Sequence, residues 1–157
     1  MCVEKAGSTD IESLTKLRLD YLLEDNGSLE NHQAETIRRL LPDYFRDHLN
    51  KDLTVYVIRQ DGIIVSCAFL LIVMKPMSPA FINGKTATVL NVFTRPPYRH
   101  RGYARMIMET MIHDAGEQEI SVINLKATED GYALYQSVGF EDDHSKYRLM
   151  KWKPRAD

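Results

Sequence analysis

The sequence has only two cysteines, Cys2 and Cys67, and their spacing matches no metal-binding pattern. Cys67 lies in a hydrophobic, strand-like stretch, which favours a buried thiol over a nucleophile. No apolar run approaches the length of a transmembrane helix, and no secretory signal precedes the first predicted helix. These absences predict a reduced, cytoplasmic protein with no metal and no membrane partner.

The sequence also lacks an excess of either charge. Its net charge of −2 is unlike the strongly basic balance that is typical of nucleic-acid-binding proteins, so we expect no nucleic-acid partner. A length of 157 residues, with 44% hydrophobic and 27% charged residues, is ordinary for one folded domain. No linker, repeat or low-complexity tract interrupts the chain, and we therefore expect a single domain over residues 1–157.

The spacing of apolar residues predicts helices and strands that alternate along the chain. Pro42 is expected to kink or split the second helix, because proline lacks an amide hydrogen. Asp61-Gly62 lies between two strand patterns and predicts a β-hairpin on a two-residue turn. The prediction comprises helices at about 9–25, 30–50, 102–115 and 131–138, and strands at 2–5, 54–60, 63–74, 86–94, 121–126 and 146–152. This order indicates an α+β or three-layer α/β domain.

The stretch 90–104 carries the strongest functional signal. A strand pattern ends at Arg95-Pro96-Pro97, a basic loop with Gly102 follows, and a helical pattern then begins. The first amides of a helix lack internal partners, and the helix dipole favours negative charge there. Glycine lets a ligand approach the backbone closely. Three arginines add guanidinium groups that suit phosphate oxygens, namely Arg99, Arg101 and Arg105. The stretch predicts an anion-binding loop.

Two common phosphate-binding motifs are absent from the sequence. Gly84-Lys85-Thr86 lacks the upstream glycine of a Walker loop, and no G-x-G-x-x-G fingerprint occurs. The pattern that is present is Arg99-x-x-Gly102-x-Ala104. Alone, so short a pattern also fits a basic loop that only caps a surface helix.

A second stretch makes the pattern more specific. Arg99-x-x-Gly102-x-Ala104 resembles the Q/R-x-x-G-x-G/A signature of the GCN5-related N-acetyltransferase (GNAT) family. Residues 127–140, with Leu134-Tyr135-x-x-x-Gly139-Phe140 at their end, resemble the family's other signature, about one strand downstream. The order and spacing match the family, and the resemblance extends over most of the chain. The sequence is thus identified as a member of the family, similar to its small bacterial branch.

The resemblance implies a fold and a cosubstrate. The implied fold is α/β (α+β), a mixed central sheet with a splayed strand pair and flanking helices. The loop is implied to hold the pyrophosphate of acetyl-CoA, while the pantetheine arm pairs with strand backbone. Thr128 stands where many relatives have an asparagine that contacts pantetheine. The implied cofactor-binding residues are Val92, Phe93, Thr94, Arg99, His100, Arg101, Gly102, Tyr103, Ala104, Arg105 and Thr128.

The implied reaction is direct acetyl transfer to a primary amine of a small molecule or peptide. The departing thiolate needs an acid, and Tyr135 matches the family's general acid; the alternative is a tyrosine that only packs. No general base is assigned, since the strand 86–94 holds no carboxylate and Asn91 cannot accept a proton at neutral pH. Glu129 and Asp130 fit the charges of a helix N-terminus better than a base.

Two other functions stay open. The lack of a visible base favours a catalytically silent acyl-CoA-binding or sensing module, whereas Tyr135 argues against it. A nucleotide-phosphate enzyme is disfavoured, because no magnesium-binding carboxylate pair accompanies the loop. The amine acceptor is not identified by the sequence. The resemblance also allows a homodimer, because dimers are common among the relatives.

Overall fold

The structure is a computed structural model, and it describes residues 1–155. The chain divides into two compact units, Met1–Lys126 and Ala127–Asp157. The strands are β1 (Glu4–Lys5), β2 (Leu53–Gln60), β3 (Ile63–Met74), β4 (Lys85–Thr94) and β5 (Val122–Asn124), and the α-helices are α1 (Ile11–Asn26), α2 (Asn31–His48), α3 (Tyr103–Glu117) and α4 (Glu129–Ser137). Short 3-10 turns lie at Ser8–Asp10 and Pro96–Tyr98.

One mixed sheet, with strand order β1-β2-β3-β4-β5, forms the centre of the first unit. The first four strands are antiparallel, and β5 pairs with β4 in parallel. β2 and β3 meet at Asp61 and Gly62, whose φ values are +52° and +77°. Positive φ at both turn positions is what a two-residue hairpin needs. The predicted hairpin and the mixed sheet with flanking helices are confirmed.

The pairing of β4 differs on its two sides. Its parallel pairing with β5 runs from Thr86 to Thr88, whereas β4 itself continues to Thr94. On the other side the antiparallel pairing with β3 continues to Thr94, which lies opposite Ser66. A bulge interrupts this second ladder at Asn91, which has a φ of +54°. Among residues 1–155, the second half of β4 therefore has a sheet neighbour on the β3 side only.

Hydrophobic residues cover both faces of the sheet. On one face, α1 and α2 contribute Leu14, Leu17 and Phe45, which pack with inward residues of the strands such as Val55 and Val57. On the other face, the intervening Tyr56 is also fully buried and donates its hydroxyl hydrogen to Asp114 of α3 at 3.1 Å. Alternate β2 residues thus point to opposite layers, as a strand between two helical layers requires.

Two elements differ from the prediction. α2 is one helix from Asn31 to His48 with Pro42 inside it, so of the two predicted effects of Pro42 the split is wrong, and the kink stays a prediction. Its apolar face packs Leu41 and Phe45 on the core, and this packing outweighs one missing hydrogen bond. The strand predicted at 146–152 is also wrong, because residues 141–155 form neither helix nor strand. An alternating apolar pattern becomes a strand only where a neighbouring backbone pairs with it.

Within residues 1–155, no helix is long and apolar enough to cross a membrane.

Arg59 of β2 fastens the start of the chain to the sheet. Its Nη1 and Nη2 donate to the two carboxylate oxygens of Asp10 at 2.9 and 2.8 Å, and its Nε donates to Glu4 at 2.8 Å. Asp10 also accepts from the amide of Gly7 at 2.9 Å. Arg59 holds the pKa of Asp10 below its usual range. Because α1 begins at Ile11, this cluster fixes where that helix starts.

We predict that Asp10→Asn lowers the free energy of unfolding by about 1–2 kcal/mol at pH 7, since charged hydrogen bonds of this kind are lost. The depressed pKa means that Asp10 stabilises the fold above its unfolded pKa and ceases to do so as the pH falls through its folded pKa. The difference between the two proteins should therefore shrink below about pH 4. Urea unfolding across pH measures this.

Asp43→Asn is the matched control, because Asp43 pairs with Arg46 on an exposed helix surface. It should change the unfolding free energy by less than about 0.5 kcal/mol. Equal and pH-independent losses in both variants would contradict the role of Asp10.

Candidate active site

The loop between β4 and α3 has the backbone that its sequence predicts. His100 and Gly102 have φ values of +62° and +80°, and Gly102 is the residue before the first turn of α3. A Cβ added at Gly102 would meet no atom within 4 Å. Glycine is the residue that adopts this positive φ most easily, and it leaves open space in front of the helix.

The start of α3 presents backbone donors beside this loop. The first helical hydrogen bond runs from the amide of Met106 to the carbonyl of Gly102 at 3.1 Å. The amides of Tyr103 and Ala104 come before it, at the positions where a helix has donors for an external anion. The Tyr103 side chain is nearly buried, so what this residue offers to the loop is its amide.

The loop arginines make different contacts. Arg101 donates to the carbonyl of Pro97 at 3.3 Å, and Arg105 pairs with Glu109 at 3.1 Å. Arg99 donates through Nε to the carbonyl of Thr94 at 2.8 Å and through Nη2 to Glu24 at 2.6 Å. The last contact lowers the pKa of the Glu24 carboxyl. Arg99 thus connects the loop to α1.

The end of β4 brings the predicted strand residues together with Arg99. The Arg99 guanidinium lies 5.6 Å from the centre of the Phe93 ring, which is mostly buried. Thr94 shares a 2.7 Å hydrogen bond with Ser66 through their side chains. The side chains at this end are therefore held by protein contacts, and a ligand would have to bind here mainly through the backbone.

One face of α1 lies along this half of β4, and the sequence did not reveal it. Two contacts of this face reach β4 itself, and two reach the loop that follows it. They are Arg18 with Asn91 at 3.2 Å, Tyr21 edge-on to Phe93 at 6.4 Å, Asp20 with Arg95 at 3.7 Å, and Glu24 with Arg99 at 2.6 Å. The helical spacing of 18, 21 and 24 signals a common face, but it does not name the partner strand.

A cavity of about 560 Å³ lies between the last turns of α1 and the end of β4. It is lined by Asp20, Leu23, Glu24, Gly27, Phe93, Arg95 and Pro96. Two carboxylates, a guanidinium and apolar surface are present together.

The strand has no proton acceptor suited to neutral pH. Asn91 is buried, and its side chain is hydrogen-bonded to Arg18 and to the sulfur of Cys67. Burial raises the pKa of the Cys67 thiol to about 12, and the predicted burial of this thiol is confirmed. Among the residues that the structure describes, no group of three or more His, Cys, Asp or Glu side chains could hold a metal ion.

The second unit contains the predicted acid. Tyr135 lies on α4, and its ring meets Phe140 edge-on at 6.1 Å. A Cβ at Gly131 would lie 2.8 Å from this ring, so Gly131 makes room for it. Thr128 caps the helix, because its hydroxyl oxygen accepts from the amide of Gly131 at 3.1 Å. The roles of Tyr135 as acid and of Thr128 as a pantetheine ligand stay predictions.

Comparison with known proteins connects this geometry to one family. The model of the acetyltransferase (GNAT) family matches residues 13–140. An uncharacterized N-acetyltransferase from Porphyra purpurea is 33% identical over 73 residues, which are 46% of this chain and 42% of that protein. A chloroplastic GCN5-related N-acetyltransferase from Arabidopsis thaliana is 29% identical over 69 residues, 44% of this chain and 27% of that protein. The matches thus span less than half of these curated relatives.

Solved structures match the chain over nearly its whole length. A predicted acetyltransferase from Clostridium acetobutylicum, solved with acetyl-CoA, has a TM-score of 0.80 and 26% identity over 94% of each chain. A GCN5-related N-acetyltransferase from Ralstonia eutropha has a TM-score of 0.70 and 21% identity, over 94% of this chain and 97% of that one. The second likeness concerns the fold alone.

The conformation at Gly102 leads to a prediction. Gly102→Val should abolish the rise in melting temperature that acetyl-CoA produces, because valine disfavours positive φ and its side chain would fill the space in front of α3. Gly62→Val is the matched control, since Gly62 has a φ of +77° and also meets no atom within 4 Å.

Thermal melts with and without acetyl-CoA test this prediction. Both variants should melt below the wild type, and only Gly62→Val should still be stabilised by acetyl-CoA. A Gly102→Val protein with the full acetyl-CoA shift would contradict the assigned loop.

Proposed function

Since the chain belongs to the acetyltransferase (GNAT) family, we propose that it transfers the acetyl group of acetyl-CoA directly to a primary amine of a small molecule or peptide. The strongest support is the succession of a strand that outlasts its parallel pairing, a loop with left-handed Gly102, and the N-terminus of a helix directly after that loop. Acetyl-CoA is the cosubstrate in this proposal, and no metal takes part.

The cofactor is assigned to the loop and the strand before it. The amides of Tyr103 and Ala104 and the basic loop 99–102 bind the pyrophosphate, because backbone donors and guanidinium groups both favour phosphate oxygens. The pantetheine arm pairs with the backbone of residues 92–94 on the side where β5 has ended. This assignment gives each backbone group of that edge a partner.

The amine acceptor is assigned to the cavity beside α1. Its reacting nitrogen must approach the end of β4, where Phe93 supplies apolar surface and Asp20 and Glu24 supply negative charge. Both carboxylates pair with arginines, so the cavity has little net charge. Binding of pyrophosphate near Arg99 would draw its guanidinium charge toward the cofactor and leave Glu24 more attractive to an ammonium group.

The amine must be neutral before it attacks. A lysine-like amine has a pKa of about 10.4, so deprotonation at pH 7 costs roughly 4.6 kcal/mol. The amine nitrogen then forms a bond to the thioester carbon and loses a second proton, the carbon–sulfur bond breaks, and the thiolate takes a proton. Tyr135 is proposed to donate that proton, and backbone amides to stabilise the oxyanion. Water is the proposed proton acceptor, because β4 has no carboxylate.

The other parts of the proposal rest on the sequence. A single domain, a cytoplasmic location and a homodimer stay predictions. The silent acyl-CoA-binding module is the alternative that the assay below separates from an enzyme.

A panel of primary amines, assayed for CoA-thiol release with the purified chain, tests the function. We expect at least one amine to release thiol at a rate that rises with protein concentration. Acetyl-CoA binding without turnover on any amine would favour the silent module. A protein that does not bind acetyl-CoA would contradict both functions.

We predict that Tyr135→Phe lowers the turnover number roughly 10²-fold, the lower part of the range for general acid–base catalysis. Acetyl-CoA affinity should change little, because the phenylalanine ring can still pack against Phe140. Wild-type rates should decline at high pH as the phenol ionises, and the variant should lack this decline. Steady-state rates across pH, at saturating acetyl-CoA, measure both effects.

Tyr132→Phe is the matched control, one helical turn earlier. Tyr132 is 39% exposed, and its hydroxyl donates to Asp142. This variant should keep the wild-type turnover and pH profile. Identical rates and profiles for Tyr135→Phe and the wild type would reduce Tyr135 to a packing residue.

A further inference from the structure

Asn91 interrupts the regular backbone of β4. Its φ is +54°, and the register with β3 slips there, from Leu90 opposite Phe69 to Phe93 opposite Cys67. A left-handed backbone is unfavourable for L-residues, although asparagine tolerates it better than most. Such a conformation persists only where the surroundings hold it. The contacts of the Asn91 side chain therefore decide whether this conformation is kept.

Arg18 and Cys67 hold Asn91 from two sides. Arg18 Nη1 donates to Asn91 Oδ1 at 3.2 Å, and Asn91 Nδ2 donates to Cys67 Sγ at 3.6 Å. The Cys67 thiol in turn donates to the Asn91 carbonyl oxygen at 3.7 Å. Asn91 is 2% exposed, so solvent cannot readily replace a lost partner. Arg18 supplies the charged contact of this group, and charged hydrogen bonds are the stronger ones.

Arg18 is itself oriented by aromatic contacts. Its guanidinium lies 5.7 Å from the centre of the Tyr21 ring, and Tyr21 meets Phe93 edge-on. The same face of α1 thus contacts β4 at the bulge and again two residues further on. The bulge directly precedes residues 92–94, and a bulge turns the residues that follow it relative to the neighbouring strand.

We propose that Arg18 is a positioning residue for CoA binding, which acts through Asn91 on the direction of the backbone amides and carbonyls of residues 92–94. The inference rests on the proposed function, because it concerns the same cofactor. In this role Arg18 does not touch the cofactor. It keeps Asn91 in the left-handed conformation, and the strand edge that receives the pantetheine arm is thereby formed before binding.

Calorimetric titration of the full chain with CoA tests the proposal without a known acceptor. Arg18→Met removes the guanidinium donors and keeps an unbranched apolar stem, and it should raise the Kd for CoA about five- to tenfold, as expected for a lost hydrogen bond to a buried amide. Arg18→Lys keeps a donor and should recover most of the affinity. Lys16→Met removes the same charge from an exposed position on α1, and its Kd should stay within about twofold of the wild type.

A second set of variants tests whether Arg18 acts through the bulge. Glycine adopts positive φ without side-chain support, whereas alanine does not. Asn91→Gly should therefore weaken CoA binding less than Asn91→Ala does. Arg18→Met should add little further loss to the Asn91→Gly protein, because the supported side chain is then gone. Thermal melts of every variant show whether it is folded.

The outcomes separate the proposal from its premise. An Arg18→Met protein with wild-type Kd overturns the positioning role, and so does an Arg18→Met effect of the same size in the wild-type and Asn91→Gly backgrounds. If Arg18→Met does not fold, equal Kd values for Asn91→Gly and Asn91→Ala overturn it. A wild-type chain that does not bind CoA overturns the proposed function itself.

Discussion

The parallel pairing between β4 and β5 ends at Thr88 while β4 continues to Thr94, and the arrangement of the site follows from that difference. Backbone donors and acceptors need partners, which are other strands, water or a ligand. Past Thr88 the strand has such a partner on the β3 side, and no strand of the described part of the chain pairs with its other side. The loop that follows carries the positive charge and the helix start. A strand edge and an anion-binding loop are thus continuous in the chain.

α1 is attached to the sheet and positioned along β4 by two different kinds of contact. Leu14 and Leu17 are fully buried, and burial of each contributes about 1.5–3 kcal/mol, whereas an exposed ion pair such as that of Glu24 with Arg99 contributes about 1 kcal/mol or less. Hydrophobic burial therefore attaches the helix, and the polar contacts determine its register along β4. The hydrogen bonds of Arg59 to Asp10 likewise determine the position of α1, because they fix the residue at which the helix begins.

Features set by single residues could be predicted from the sequence, and those set by distant partners could not. Asp61-Gly62 and Gly102 lie where the backbone needs positive φ, which few residues adopt, so the hairpin and the loop before α3 follow from local chemistry. Pro42 stays inside a helix because its apolar face is packed, and the predicted strand at 146–152 is missing from the described structure because no backbone pairs with it. Arg18 and Asn91 lie 73 positions apart, and no local pattern joins them.

The contrast between the two cysteines has a practical consequence. Cys2 is exposed, whereas Cys67 is enclosed beside the β4 bulge and has a raised pKa. A thiol reagent added to the folded chain therefore meets one rapidly reacting sulfur, and the second becomes reactive only when the sheet opens around Asn91. The rate at which Cys67 is alkylated is therefore a measure of how often this strand opens. This measurement needs no added label, and it reports on the bulge at Asn91, where the backbone of β4 is irregular.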